Sequence, residues 1–407
     1  MKIETMRKID YGVGIPLAFL VTFFKFLVPV RGLSNAVSNA NGSLPTNLLF
    51  IELSEMGSAI LADPAMQRAK NKYSANLFFV IFKRNKPSLD FLKSVDEKNV
   101  FTIADTSLFS IIRDSIRLFF WCEKNRIDAV IDLELFSRAT ALLAFLTRSP
   151  IKVGFHNYHG EGLYRGNFLN RNVSYNPHIH IAKNFISLVD AAFTTEKQTP
   201  YLKKEIPDSD IKIRKIEVSQ TSKERVFNTI KTLYPKIQPE QKILLVNPNA
   251  SEFLPQRKWP IENYTELVKI VLAKHPDYLI LMTGAPSESA EIQGIEDSVQ
   301  NERCYNFAGK VAFNELTTLY TLANVLITND SGPGHFSSVT NVKSFVFFGP
   351  ETPLLYGSLG NSTPIYANFA CSPCVSAYNH RKTPCNDNQC LKVLTPPMVY
   401  EIIKGNL

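Results

Sequence analysis

Apolar positions along this chain fall into two regimes. From Ile15 to Val30 they run almost unbroken, whereas from Asn47 onward they come as short blocks separated by amphipathic stretches. Short apolar blocks bounded by turn residues read as buried strands, and apolar residues recurring every three or four positions read as helices. By that rule the first half has strands at Asn47–Leu53, Leu77–Phe82, Val100–Ile103, Ala129–Leu133 and Lys152–Phe155. Helices fall between them: one running through Lys70, one including Phe91–Lys93, Leu108–Lys124 and one running through Leu146, with Ile179–Phe193 after the last strand. The second half repeats the scheme, with strands at Lys242–Asn247, Tyr278–Thr283, Val325–Thr328 and Ser344–Phe348. Its helices are Ile261–Lys274, Glu288–Val299, Asn314–Ala323 and Gly332–Thr340. Strands alternating with helices predict a parallel sheet covered on both faces. The doubling predicts an α/β protein of two Rossmann-like domains facing each other across a cleft. They span 47–238 and 239–407, with the charged, irregular Lys203–Ser222 leading into the connection.

The segment 1–46 stands apart. Lys2, Arg7 and Lys8 precede the apolar run, and Ser38-Asn39-Ala40 has the small residues of a cleavage site, which is the outline of a secretory signal. Against that outline, Pro16 and Lys25 interrupt the run, Glu4 and Asp10 lie upstream, and Arg31 follows. A single span wants about 20 apolar residues, and a lysine lies inside this one. The pattern best fits an apolar helix lying in a membrane interface with Lys25 reaching toward the headgroups. Burial against the body of the protein is the other reading. The Asn/Ser/Gly-rich stretch Ser34–Thr46 reads as a linker.

Composition narrows the partners. The 407 residues are 45% hydrophobic and 20% charged, an ordinary globular balance that excludes a disordered chain. A net charge of +8 favours phosphates or an anionic membrane face. No basic run with interleaved aromatics is present, so nucleic acid is not an expected partner. Cys122 and Cys304 sit in apolar surroundings, as buried thiols do. Cys371-Ser-Pro-Cys374, Cys385 and Cys390 have the composition of a structural zinc site, with free thiols as the alternative.

The strongest local motif is Thr328-Asn329-Asp330-Ser331-Gly332-Pro333-Gly334-His335, where an apolar strand ends and a helix begins. Ligands of open parallel sheets bind outside the carboxyl ends of the strands, and a helix start offers unpaired N–H groups to phosphate oxygens. Gly332 and Gly334 would let backbone approach a ligand, while Ser331 can cap the helix or bond an oxygen. Ordinary turn chemistry accounts for the same residues equally well.

The Asn-Asp-Ser-Gly-Pro-Gly-His run, followed by Phe347-Phe348-Gly349-Pro350-Glu351-Thr352-Pro353, resembles the C-terminal signature of glycosyltransferase family 9, the ADP-heptose:lipopolysaccharide heptosyltransferases and their relatives. Asn247-Pro248-Asn249-Ala250 leading to Arg257-Lys258-Trp259-Pro260 resembles the nucleotide-side loop of that family. Thr283-Gly284-Ala285-Pro286 with Glu288, and Ala308-Gly309-Lys310, match further turns. The first half matches more loosely, through Glu52–Pro64 and the loop Gly154–Tyr175. The resemblance implies a GT-B fold and metal-independent, single-displacement transfer of a sugar, heptose by default, with inversion. The donor would be a nucleotide-sugar, an ADP-sugar by default, and the acceptor a lipopolysaccharide or other lipid-linked glycan. It implies a cytoplasmic protein, peripheral on the inner face of the cell membrane. Donor-binding residues would be Asn249, Arg257, Lys258, Glu288, Asp330, Ser331, Gly332 and His335. No cofactor is implied for catalysis, with structural zinc left open at the cysteines.

One departure stands out. Family members carry Gly-Asp after the first strand, with the aspartate as base, whereas this chain has Gly57-Ser58. A serine hydroxyl does not accept a proton near neutral pH. The base is therefore expected to be Glu55 in the same loop, with Asp63 as the other nearby carboxylate. Ser58 and Arg165, the latter in the polar loop with His156 and His159, are the candidate acceptor contacts. The loss of the family aspartate also leaves open a non-catalytic nucleotide- or carbohydrate-binding protein. A sugar-nucleotide epimerase on the same architecture is the third reading.

Overall fold

Each half of the chain forms a six-stranded sheet in which every pairing is parallel. The computed structural model describes residues 1, 3–27, 44–156, 158, 163–251 and 253–407. It divides into two units, Met1–Lys212 and Ile213–Leu407. The first contains β1 Asn47–Ile51, β2 Asn76–Phe82, β3 Val100–Ile103, β4 Ala129–Asp132, β5 Ile151–His156 and β6 Arg171–Ser174, in the order β3-β2-β1-β4-β5-β6. The second contains β7 Lys242–Asn247, β8 Tyr278–Met282, β9 Cys304–Asn306, β10 Val325–Asn329, β11 Lys343–Phe348 and β12 Ser362–Tyr366, in the order β12-β11-β10-β7-β8-β9. Read from the opposite edge, the second order repeats the first. Both are the doubly wound arrangement that the alternating pattern predicts.

The central strands are apolar because helices cover both faces; all five residues of β10, for example, are buried. In the first unit Ile51, Val80, Ile103, Leu118 and Val130 share one core cluster, and in the second Val246, Trp259, Tyr264, Ile280, Ile327 and Phe347 do so. In each sheet the chain reverses its winding direction between two neighbouring strands, β1 and β4 in one and β7 and β10 in the other. The ends of these strands form the crevice where such folds bind ligands.

The boundary between the units lies at Lys212/Ile213, earlier than the expected 238/239. The charged segment after Lys203 contains the crossing. From Ile213 the chain is already tied to the second sheet: Ile216 N donates to Val339 O at 2.9 Å and Lys215 Nζ to Ser338 O at 2.8 Å. The helix Gln220–Leu233 packs on the helix Leu316–Leu322.

The N-terminal segment forms two helices, Ile3–Gly12 and Gly14–Phe24, followed by a tight turn at Lys25–Leu27. Among the described residues no single helix is long and apolar enough to cross a membrane, though this pair, bent by 41°, passes on length and composition. Asp10 anchors it by accepting from Arg138 N at 3.0 Å and Ala139 N at 2.8 Å at the start of the helix Arg138–Leu146, and Ala18 is buried near Ala141 and Phe168. Lys25 donates to Asn167 O at 2.8 Å. The cleavage-like Ser38–Ala40, Arg31 and most of the proposed linker lie outside the described residues.

Candidate functional site

In the second unit Asn329, the last residue of β10, ties the loop after β7 to the end of its strand. It is fully buried, and its carbonyl oxygen accepts from Trp259 N and from Tyr264 Oη, both at 3.0 Å. Its amide donates to Pro248 O at 2.8 Å and Asn249 O at 3.3 Å. Trp259 is locked in turn: its indole stacks on Phe347 with ring centres 4.4 Å apart and its N–H donates to Leu394 O at 2.8 Å. The Trp-Pro pair after Arg257-Lys258 therefore fixes where those two cations stand.

Arg257 and Asp330 approach to 3.4 Å, and Arg257 also pairs with buried Glu351. Arg381 bonds the same Glu351 through Nε at 2.8 Å and Nη2 at 3.0 Å. Two guanidinium groups and two carboxylates thus meet at the ends of β10 and β11. Burial pushes the Asp330 carboxyl upward, against the pull of Arg257. Beside this cluster Lys258 Nζ reaches Asn249 Oδ1 at 3.3 Å and Glu291 Oε2 at 3.2 Å. The amide nitrogen of Asn249 is buried with no hydrogen-bond partner among the described residues. Gly284 closes the same corner, because a Cβ there would meet Glu288 Oε2 at 2.9 Å and Asn249 Nδ2 at 3.4 Å. Gly309, at φ +68°, lies against Pro286 in a backbone conformation that suits glycine. Asn249, Arg257, Lys258 and Asp330 thus stand near one another at this corner, with Glu288 beside Gly284.

Other expected contacts take different roles. Glu288 accepts from Ala285 N at 2.6 Å and closes its own turn. Ser331 donates to Asn329 O at 3.1 Å and makes no side-chain cap. Gly332 and Gly334 have packing reasons for lacking a side chain: a Cβ would meet the Phe336 ring at 2.9 Å in one case and Ser358 Oγ at 3.0 Å in the other. His335 is buried, with Nδ1 3.5 Å from Ser358 Oγ.

The corresponding crevice of the first unit is acidic. Glu52 and Asp132 are buried at the ends of β1 and β4, with Glu134 next to them. Glu134 Oε1 accepts from Leu53 N at 3.0 Å and Ser54 N at 2.8 Å. Burial pushes all three carboxyls upward, and Glu134 adds to the effect on Glu52. Glu55 is half-buried in the same loop, and its N–H donates to Glu52 Oε1 at 3.4 Å. Ser58 lies in the short helix Met56–Leu61 that follows.

Two expectations here are corrected. Asp63 is wholly buried, accepting from Ser94 Oγ and from Gln67 Nε2, so it cannot meet an acceptor. Arg165 is buried and bonded to Asp132 Oδ2 and to Glu134 O at 3.2 Å, which makes it a brace for the acidic crevice rather than an acceptor contact. His156 accepts from Tyr158 N at 2.8 Å, and burial moves its imidazole pKa down. His159 lies outside the described residues. Cys371, Cys374, Cys385 and Cys390 are free thiols, and among the described residues no three His, Cys, Asp or Glu side chains are placed to hold a metal.

Sequence reasoning missed Glu52, Asp132, Glu134, Asn329 as a hub, Glu351 and Arg381. Three of these carried a signal, since Glu52, Asp132 and Asn329 are polar residues that close otherwise apolar strand blocks.

Among curated proteins, lipooligosaccharide heptosyltransferase 2 of Campylobacter jejuni is 30% identical over 171 residues, 40% of this chain and 51% of that protein. The chain thus spans about half the length of this relative. Two solved structures share the fold: E. coli ADP-heptose lps heptosyltransferase II (19% identity, TM-score 0.65, covering 89% of this chain and 98% of that one) and E. coli heptosyltransferase WaaC with ADP (16% identity, TM-score 0.61, 89% and 100%). The model of glycosyltransferase family 9 (heptosyltransferase) matches residues 118–383, well over half of the sequence. With its doubled parallel sheets, its Asn-Asp-Ser-Gly-Pro-Gly-His turn and this match, the chain belongs to glycosyltransferase family 9.

Proposed function

We propose that this protein transfers a sugar, heptose by family default, from an ADP-sugar to a lipopolysaccharide or other lipid-linked glycan, with inversion and without a metal. The observation that carries the reading is the cluster of Arg257, Arg381, Asp330 and Glu351 at the ends of β10 and β11. As the sugar–phosphate bond breaks, negative charge grows on the diphosphate, and pre-positioned cations and backbone dipoles stabilise it best in a buried setting. Arg257 is held for that role by its ion pair with Glu351 and by the anchored Trp259 two residues further along the chain. The unpartnered Asn249 amide supplies a donor in the same corner. A solved relative holds ADP, which favours an adenine nucleotide here.

On this reading the first unit supplies the base, and Glu55 takes the proton of the acceptor hydroxyl as its oxygen attacks the anomeric carbon. Glu52 is a poor base because burial and neighbouring carboxyls favour its protonated form. Glu55 stands half-exposed beside it, where an acceptor can reach. The bent N-terminal helix pair is proposed to lie on the inner face of the cytoplasmic membrane, close to a lipid-linked acceptor.

The test is release of ADP from ADP-heptose in the presence of a lipid-linked acceptor. Glu55→Gln is expected to lower turnover by about 10²–10⁴-fold while leaving donor affinity unchanged. An unaltered rate removes Glu55 from the role. Ser58 in place of the family aspartate favours a second reading, a non-catalytic nucleotide- or carbohydrate-binding protein. Tight donor binding with no release for any nucleotide-sugar tried would establish it.

A further inference from the structure

The helix Leu108–Lys124 is apolar on two faces, although the fold uses only one. Leu118 and Cys122 are buried in the first unit's core cluster, with Ile111 and Trp121 packed against it. The opposite face carries Leu108, Phe109, Ile112, Ile116 and Phe120 at helical spacing, all exposed, with Phe109 at 75% and Phe120 at 64%. A surface helix of a soluble domain normally shows water a polar face. A contiguous apolar face of this kind marks a site of interaction.

Charge names the partner. Arg113, Arg117 and Lys124 run along one flank of the exposed stripe at helical spacing, and Arg126 follows just beyond. Both arginines share one buried carboxylate, Asp114, at 2.9 and 3.3 Å, and even with Glu123 counted the four cations outnumber the carboxylates of this helix by two. The N-terminal helix pair begins beside this helix. The Met1 amino group donates to Asp105 O at 2.6 Å, and Met6 packs against the same core cluster as Ile111 and Trp121. That pair and the turn after it expose Phe19, Phe23 and Phe26.

We propose that the outer face of Leu108–Lys124 docks on an anionic phospholipid bilayer, its apolar stripe entering the acyl boundary and its cationic flank meeting the headgroup phosphates. A second copy of this chain would bring another apolar stripe and more cations, without the anions that flank calls for. The docking face is a second membrane contact besides the N-terminal pair. Two contacts on one unit would fix its orientation on the surface, which one alone would not. The inference does not depend on which sugar is moved, or on whether one is moved.

The experiment is co-sedimentation of the full chain with vesicles of phosphatidylcholine alone and of phosphatidylcholine with equimolar phosphatidylglycerol. Wild type is expected to pellet with the anionic vesicles and to be released by salt. Ile112→Glu with Ile116→Glu should lower partitioning at least about tenfold at an unchanged melting temperature, since each buried isoleucine is worth about that factor. Arg113→Gln with Arg117→Gln should weaken binding only to the anionic vesicles. If the glutamate variant melts lower, Phe109→Asn at the exposed start of the helix replaces it under the same criterion. Wild-type partitioning by these variants, or no pelleting of wild type, overturns the proposal. So does light scattering that shows a dimer broken by the glutamates while vesicle binding is unchanged, which would assign the face to self-association.

Discussion

Replacing Asn329 with alanine removes a buried side chain that ties the loop after β7 to the end of β10. The change strands Trp259 N–H, Tyr264 Oη and Pro248 C=O, which now bond it at 3.0, 3.0 and 2.8 Å, together with the longer contact to Asn249 O. A buried polar group left unpaired costs about 1–3 kcal/mol, and three well-made bonds are lost, so the expected destabilisation is about 4 kcal/mol. Asn329→Asp separates the two halves of the effect. It keeps the acceptor for Trp259 and Tyr264 but turns a carboxylate oxygen toward the carbonyls of Pro248 and Asn249, so a loss of about 2 kcal/mol is expected. The chain has two tryptophans, Trp121 in the first unit and Trp259 in the second. In a Trp121→Phe background, urea unfolding followed by fluorescence reports the second unit alone, which matters because two units need not unfold together. A loss below about 1 kcal/mol for Asn329→Ala would refute the claim that this residue holds the site together.

Glu351→Ala removes the carboxylate shared by Arg257 and Arg381. Breaking a buried pair costs about 3 kcal/mol or more, which a urea midpoint would show, and donor affinity should fall with it. Lys152 on β5 is buried with its ammonium bonded to Ser149 O, and burial lowers its pKa from 10.5 to about 8. The folded chain thus releases this proton near pH 8 and the unfolded chain near 10.5, so stability should rise with pH across that window. Lys152→Met should accordingly add about 2 kcal/mol at pH 7 and much less at pH 10, as read by chemical denaturation at both pH values.

The central strands and the donor-side loops were legible because helices covering both faces force the strands to be apolar, and because turn residues punctuate each loop. The edge strands β6, β9 and β12 were not legible. Each is covered incompletely, and in β6 only Val173 is buried, so the apolar block that announces a strand is missing. Glycines at 332 and 334 read as room for a ligand, whereas Phe336 and Ser358 fill the space beside them. Arg165 reads as an acceptor contact because its partner Asp132 is 33 residues away in sequence. A separation of 30 residues likewise hid the link from Arg381 to Glu351. Whether a helix has one apolar face or two is visible in sequence, but which face the core takes is not, and Leu108–Lys124 is the example.

The proposed transfer requires that the nucleotide diphosphate be held at the ends of β7 and β10. Hydrogen exchange of the full chain with and without saturating ADP tests this directly, paired with titration of ADP into wild type and Arg257→Gln. Slowed exchange is expected at the amides of Asn249, Ala250, Asp330, Ser331, Gly332 and Gly334, with an affinity at least about tenfold weaker in the variant, as expected for loss of a charge-assisted contact. Protection confined to other loops, or equal affinity in the variant, would contradict it.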